Sequence, residues 1–222
     1  NTYSIKNIDG YTMSPNETQI LLQTKTVQIY RRSYKAFYYL YDIQTKSIKP
    51  LSDEGPQQMP RFSPDGNLIA FVRKNTSQHM EIQVTKDGKV NEIINGLPDW
   101  VYEEEFATNC SFDFSSDSRV LAWLRYDESK VPMYIIEKFK GMSPEISSCD
   151  EYPGRYTYKY PVAGARNSDV GLMIFDIKSG ATDKINIPLD SDGYIPRIQF
   201  TSDPDKLAVV TLNRHQDRME IY

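Results

Sequence analysis

The sequence predicts an all-β fold: part of a β-propeller, with about four blades of four-stranded antiparallel sheet and one short helix. Three observations favour this class. The 222 residues include 16 Tyr and 9 Phe against 11 Gly, and aromatic residues suit half-buried pleated surfaces. A hairpin pattern occurs four times along the chain. Its spacing is close to that of propeller blades.

The recurring pattern is a short strand ending at Ser or Thr, a turn rich in Pro, Asp, Asn or Gly, and a second apolar strand. Turn residues between two apolar runs predict a β-hairpin. The copies occupy residues 61–72, 112–123, 198–209 and, most loosely, 11–22. The Ser or Thr lies at positions 14, 63, 115 and 201, with spacings of 49, 52 and 86 residues. The last spacing is too long for one blade and predicts an insertion.

Each blade also needs outer strands, and three alternating segments are assigned to that role. They are residues 37–43, 80–84 and 170–177, and each runs into a polar turn. Alternation closed by a turn signal is typical of a strand in a hairpin.

Two stretches interrupt the strand pattern. In residues 95–106, Asp99 suits an N-cap, and the glutamates after it suit the positive end of a helix dipole. A helix of one or two turns is therefore predicted there. The second stretch, about residues 127–169, is rich in Tyr, Pro and Gly. An irregular segment of this length is typically a functional excursion, here within one propeller domain that takes in residues 1–222.

Composition excludes several classes of function. The net charge of −4 and the pI of about 5.3 predict no nucleic-acid partner, since such a partner needs a basic face. No apolar run approaches the roughly 20 residues that span a bilayer, so no membrane contact is expected from this segment. Cys110 and Cys149 allow at most one disulfide, and whether they are bridged is left open. Neither has a His or Cys at metal-ligand spacing, and we expect no metal and no cofactor.

Four motifs carry a more specific signal. Tyr-Arg-Arg-Ser-Tyr-Lys-Ala occupies residues 30–36 and Asp-Trp-Val-Tyr-Glu-Glu-Glu occupies residues 99–105. Arg-Tyr-Asp-Glu-Ser-Lys-Val-Pro follows at 125–132, and Tyr-Pro-Val-Ala-Gly-Ala-Arg-Asn at 160–167, with Val162 where Lys is usual. In order and spacing they resemble the N-terminal propeller of the dipeptidyl peptidase IV family, of bacterial type within the prolyl oligopeptidase clan. The resemblance covers essentially the whole chain.

The resemblance implies a serine exopeptidase that acts in proteolysis by removing dipeptides from a free N-terminus, usually after Pro or Ala. In that family two neighbouring glutamates bind the substrate's ammonium group. Carried over, these are Glu104 and Glu105, while Arg31 binds the carbonyl oxygen of the second residue from the scissile bond. Pairing of Glu103 with Glu104 is the alternative, because Phe106 follows the third glutamate at once where many relatives have one more residue.

No catalytic residue is assigned within the chain. A hydrolase of this type needs a Gly-x-Ser-x-Gly elbow, which the sequence lacks, and the C-terminal α/β-hydrolase domain is absent from residues 1–222. We expect an enzymatic parent, a chain that is inactive by itself, and two partners: peptides with a free N-terminus and the parent's hydrolase domain. Unpaired strand edges make a homodimer a further expectation. By resemblance, the parent is periplasmic, cell-surface or secreted.

A helix suits this chemistry better than a strand. Adjacent strand residues point to opposite faces, whereas adjacent helix residues differ by about 100° and can reach one ligand. Two close carboxylates repel each other, and a bound ammonium relieves that repulsion. The alternative hypothesis is a binding or scaffold propeller from a catalytically inactive relative.

Overall fold

The computed structural model describes residues 5–73, 81–139 and 152–222, and within these ranges it has sixteen strands and one helix. The strands are β1 (Gly10–Met13), β2 (Gln19–Gln28), β3 (Tyr34–Asp42), β4 (Ile48–Pro50), β5 (Gln57–Phe62), β6 (Ile69–Arg73), β7 (Ile93–Asn95), β8 (Phe112–Phe114), β9 (Val120–Asp127), β10 (Met133–Lys138), β11 (Gly154–Lys159), β12 (Asp169–Asp176), β13 (Thr182–Ile185), β14 (Tyr194–Phe200), β15 (Leu207–Leu212) and β16 (Met219–Ile221). Helix α1 (Trp100–Glu105) lies between β7 and β8. None of the described residues forms a helix long and apolar enough to cross a membrane.

The strands form antiparallel sheets in the manner of propeller blades. Strands β1, β2, β3 and β4 make the first blade, and β7, β8, β9, β12 and β13 make the third. Between them β5 and β6 make a smaller second blade, which joins the first through one pairing of Ala36 with Gln57. Strands β14, β15 and β16 form the fourth blade, a separate three-stranded sheet. The predicted all-β partial propeller is confirmed.

The hairpin turn of each of the first three repeats is built around a buried hydroxyl. In the third repeat, buried Ser115 donates to Asp117 Oδ1 over 2.7 Å and accepts from Val120 N over 2.9 Å. Ser14 and Ser63 make the same two contacts in their own turns. A side chain that satisfies backbone donors specifies the turn locally, and this explains why the pattern is legible in the sequence.

The fourth turn differs because of one proline. The third residue after the serine has a positive φ in the first three turns: Glu17 at 56°, Gly66 at 75° and Ser118 at 63°. Pro204 occupies this position in the fourth turn, and its ring holds φ near −65°. There the exposed Thr201 accepts instead from Asp203 N, over 3.1 Å.

Turns of successive repeats are also bonded to each other. Asn16 Nδ2 donates to the carbonyl of Asp65 over 3.1 Å, and Asp65 N donates to Ser118 Oγ over 3.1 Å. Ser116 Oγ donates to the carbonyl of Ser202 over 3.1 Å. These contacts align the four hairpins side by side at one end, which is the arrangement of consecutive blades.

One predicted outer strand is wrong. Residues 81–84 form no strand, while Met80 lies outside the described residues. Glu81 is exposed and its carboxylate pairs with Arg73 at 2.7 Å. Strand formation depends on packing against neighbours more than on intrinsic preference, so alternation alone was an insufficient signal here. The other two predicted outer strands are present as β3 and β12.

The predicted excursion before the last repeat contains a separate hairpin. Strands β10 and β11 pair from Met133–Lys159 to Lys138–Gly154 and form their own two-stranded sheet. Residues 140–151, which include Cys149, lie outside the described ranges. Cys110 is a free thiol, and burial raises its pKa.

The largest hydrophobic cluster lies where α1 meets the third and fourth blades. Its buried members are Val101, Tyr102, Ala122, Leu124, Tyr126, Leu172, Tyr194, Ile195 and Val209. The hydroxyls of Tyr126 and Ser111 share a hydrogen bond of 2.8 Å, so burial leaves neither group unpaired. Since two residues of α1 belong to this cluster, the helix is part of the core.

Replacing Ser115 with Ala should lower the free energy of unfolding by about 1–3 kcal/mol, because it leaves Val120 N–H without its side-chain acceptor and removes the hydroxyl donor to Asp117. Thr201→Ala, in the exposed fourth turn, is the matched control and should change it by less than about 0.5 kcal/mol. Denaturant unfolding of both variants measures the difference. Equal effects would contradict the role assigned to the buried hydroxyl.

Candidate functional site

Helix α1 begins at a buried cap. Asp99 has extended backbone (φ −73°, ψ 177°), and its Oδ1 accepts from Tyr102 N over 2.9 Å, as an N-cap should. Its Oδ2 accepts from Ser168 Oγ over 2.6 Å. Burial raises the pKa of Asp99, while the hydrogen bond from Ser168 opposes that shift. The predicted cap is confirmed.

Tyr102 fixes the rotation of this short helix. Its ring packs edge-on against Tyr126, Phe106 and Tyr194, with centroids 4.8, 5.2 and 6.0 Å away. Its hydroxyl accepts from Ile195 N over 2.9 Å. A helix of six residues is unstable by itself, so these contacts hold it in place. The directions of the three glutamates that follow are set by this anchor.

The segment after β11 covers the start of α1. The ring of Tyr160 lies 4.2 Å from that of Trp100. Further along, Asn167 Nδ2 donates to the hydroxyl of Tyr194 over 2.7 Å. Residues 160–167, which form one of the four sequence motifs, therefore support the helix through packing and hydrogen bonds.

The loop between β2 and β3, residues 29–33, brings the predicted arginine to the site. Gln28 Nε2 donates to the carbonyls of Tyr30 and Arg31 over 2.7 and 3.1 Å. The ring of Tyr30 lies 5.7 Å from that of Tyr158 on β11. We call this segment the arginine loop.

The carboxylate of Glu103 joins α1 to the arginine loop. The side chain is 1% exposed, and Oε1 accepts from Arg32 N over 2.6 Å and from Ser33 N over 2.8 Å. These donors are 71 and 70 residues away in sequence. Charge-assisted bonds of this kind are about twice as strong as neutral ones. The Glu103 carboxylate is thus committed to the protein itself.

Glu104 and Arg31 meet at the surface. Arg31 Nε lies 3.1 Å from Glu104 Oε2. The side chain of Arg31 is 73% exposed and that of Glu104 is 17% exposed. An exposed ion pair typically contributes only about 0–1 kcal/mol to stability. The structure therefore brings two of the three predicted site residues, Arg31 and Glu104, together at the surface.

Glu105 is the last residue of α1, and its side chain is exposed. Within the described part of the chain, its carboxylate has neither a hydrogen bond nor an ion pair. It follows Glu104 by about 100° around the helix. Of the three consecutive glutamates, Glu104 and Glu105 are the two that solvent reaches.

Sequence reasoning missed a buried acid near the cap. Glu128 is 7% exposed. Burial, together with the charge of Asp99, raises the pKa of Glu128 to about 7, and the Lys159 ammonium opposes this. Glu128 directly follows β9, where no strand periodicity indicates whether a side chain is buried. It lies in the predicted 125–132 motif, but nothing in the motif singled it out.

Tyrosine rings line the side of the site formed by the excursion. The ring centroids of Tyr134 and Tyr160 are 5.1 Å apart, those of Tyr156 and Tyr158 are 5.3 Å apart, and those of Tyr158 and Tyr160 are 5.9 Å apart. Burial first, and then neighbouring groups that include Glu104, raise the pKa of Tyr158. These four tyrosines form an aromatic wall, in which Tyr158 is near enough to Glu104 for that carboxylate to raise its pKa.

The chain is a partial β-propeller. Its short helix, packed on the third and fourth blades, meets a loop of the first blade at an arginine–glutamate pair, and this combination defines the class of protein. The family model described as "Dipeptidyl peptidase IV (DPP IV) N-terminal region" matches residues 14–222. The chain belongs to this family, and the resemblance predicted from its motifs is confirmed.

The names of similar proteins are consistent with this family. The chain is 33% identical over 221 residues to "Probable dipeptidyl-aminopeptidase B" of Talaromyces stipitatus, covering 92% of this chain and 24% of that protein. It is 32% identical to the protein of the same name from Colletotrichum graminicola, covering 97% and 26%. The crystal structure of Porphyromonas gingivalis dipeptidyl peptidase 4 matches with a TM-score of 0.89 and 43% identity, covering 98% of this chain and 31% of that chain. The chain thus spans about a quarter of the length of the curated relatives it matches.

Glu128→Gln should make stability less dependent on pH. The carboxyl titrates at its ordinary value of 4.5 when unfolded and at about 7 when folded, so the folded state holds a proton that the unfolded state releases. The stability that protonated Glu128 provides is therefore complete below about pH 4.5 and lost as pH rises through about 7. The variant should gain on the order of 1–3 kcal/mol over wild type at about pH 8, and little at about pH 4.5.

Thermal unfolding at the two pH values measures this difference, with the exposed Glu137→Gln as the control. A gain that is the same at both pH values would contradict the assignment.

Proposed function

We propose that this chain is the substrate-anchoring portion of the propeller in a serine-type dipeptidyl peptidase that releases X-Pro or X-Ala dipeptides from free N-termini. Glu104 and Glu105 bind the substrate ammonium, and Arg31 binds the carbonyl oxygen of the second residue from the scissile bond. The catalytic triad is supplied by a C-terminal α/β-hydrolase domain outside this chain. The names of the relatives, dipeptidyl-aminopeptidase and dipeptidyl peptidase, support the reaction class.

The observation that carries the proposal is the ion pair of exposed Arg31 with partly exposed Glu104, with exposed Glu105 next to it. Together the three side chains carry one net negative charge, which a single ammonium cancels. An ammonium has three donors, enough for both carboxylates. A free peptide N-terminus provides this group, whereas an acylated N-terminus has neither the charge nor the donors.

The commitment of Glu103 supports this choice of glutamates. Its Oε1 already accepts two backbone N–H groups and its side chain is buried. Using it as an ammonium ligand would require breaking those bonds. The pair Glu104 and Glu105 needs no such change, so it is preferred over Glu103 and Glu104.

The guanidinium of Arg31 supports a second contact. Arginine has five N–H donors in a planar fork, and Arg31 approaches Glu104 through Nε at 3.1 Å. The donors that remain can bind a peptide carbonyl while the ion pair persists. With the ammonium and this carbonyl both fixed, the distance to the nucleophile permits two residues before the cut.

Kinetics of the full-length protein that contains this chain test the proposal. A glycyl-prolyl chromogenic substrate should be cleaved, and its N-acetylated form should not. Glu104→Gln and Glu105→Gln should each lower kcat/KM for the free-amine substrate by roughly 30-fold or more, since losing one partner of a desolvated charge pair costs about 2–5 kcal/mol.

Glu137→Gln is the matched control, because it removes the same charge from an exposed strand position on β10. If the full-length protein is inert, or if both site variants cleave as well as this control does, the proposal is wrong. The scaffold propeller of an inactive relative would then be the better account.

A further inference from the structure

We propose that Glu103 is a positioning residue: its buried carboxylate holds the arginine loop against α1 and thereby sets how Arg31 meets Glu104 and the substrate. The inference rests on the proposed function, which it deepens by assigning a role to the one glutamate of the three that does not reach solvent. Glu103 acts through the loop and has no contact with substrate.

The first argument is which peptide group Glu103 binds. Arg32 N belongs to the same planar peptide unit as the carbonyl of Arg31. Glu103 Oε1 accepts from that N–H over 2.6 Å, while Gln28 Nε2 donates to that carbonyl over 3.1 Å. The peptide unit attached to the Arg31 Cα is therefore held at both ends. The origin of the Arg31 side chain is fixed even though its guanidinium is exposed.

The second argument is that the other end of the connection is rigid. Glu103 directly follows Tyr102, whose ring and hydroxyl are fixed in the core. Glu103 directly precedes Glu104. One carboxylate thus ties the backbone next to Arg31 to the backbone next to Glu104. Displacements of about 1 Å at a binding site can cost about a hundredfold in rate.

The third argument is that the other polar contact described between α1 and the arginine loop is weak. It is the ion pair of Arg31 with Glu104, in which the arginine is largely exposed. A pair of this kind does not hold two segments in register. The loop belongs to the first blade, whereas α1 packs on the third and fourth. The Glu103 contact therefore sets the distance between the two halves of the site.

Four variants of the full-length protein test the inference: Glu103→Ala, Glu103→Gln, Arg31→Ala and the double variant that combines Glu103→Ala with Arg31→Ala. Glu103→Ala should lower kcat/KM for the free-amine glycyl-prolyl substrate by about tenfold or more, mainly through KM. Glu103→Gln should recover most of that loss, to within about threefold of wild type, because the amide oxygen can accept the same two N–H bonds. In the Arg31→Ala background, Glu103→Ala should have little further effect, as expected for residues that act through one contact.

For each expected result there is an outcome that would contradict it. If Glu103→Gln loses as much as Glu103→Ala, an oxygen that can accept the two N–H bonds does not restore the site, and holding the arginine loop is not the role of Glu103. If Glu103→Ala lowers the unfolding temperature but leaves KM unchanged in the folded enzyme, its role is structural only. If the effects of Glu103→Ala and Arg31→Ala multiply in full, Glu103 does not act through the arginine loop. Any of these overturns the inference.

These variants, measured together with Glu104→Gln, separate this inference from the proposed function. If Glu104→Gln and Arg31→Ala leave kcat/KM unchanged, the anchoring function itself fails. If those two variants are impaired and Glu103→Ala is not, anchoring stands and only the positioning role is lost.

Discussion

The site depends on one buried carboxylate that accepts two backbone N–H groups from another part of the chain. Glu103 lies on a helix packed against the third and fourth blades, and its partners Arg32 and Ser33 lie in a loop of the first blade. A buried charge is costly unless it is well satisfied, so this connection favours one geometry strongly. The placement of Arg31 beside Glu104 follows from it.

The remaining structure supplies the two rigid sides of that connection. On one side, the cap at Asp99 and the ring of Tyr102 fix a helix too short to be stable by itself. On the other, repeated turns built on buried serines align the hairpins of successive blades. Arg31, Glu104 and Glu105 remain accessible to solvent. This accessibility is what the proposed anchoring role requires.

Much of the fold could be predicted because its signals are local. The Ser-x-Asp turns satisfy their own backbone donors, and Asp99 caps its own helix, so each is legible in a few consecutive residues. The segment at 81–84 has the alternation of a strand, but alternation does not show whether a partner strand is present. The effect of the single proline on the fourth turn could not be predicted from that turn's own sequence either. Its effect follows from the positive φ that the other three turns adopt.

The sequence indicated which residues form the site, but only part of their arrangement in space. The motifs indicated Arg31 and the glutamate run, and the structure brings Arg31 and Glu104 together. Which glutamate is buried depends on the rotation of α1, which is set by Tyr102 and residues nearly a hundred positions away. For the same reason the raised pKa of Glu128 could not be inferred, because it depends on burial in the folded chain and on the charges of Asp99 and Lys159, which are distant in sequence.

The most direct test of the anchoring claim is a crystal structure of the full-length protein with a Val-Pro dipeptide bound. We predict the dipeptide ammonium within hydrogen-bonding distance, roughly 3 Å, of both the Glu104 and Glu105 carboxylates, with Glu103 still bonded to the amides of Arg32 and Ser33. An ammonium bound to Glu103, or bound away from all three glutamates, would contradict the account.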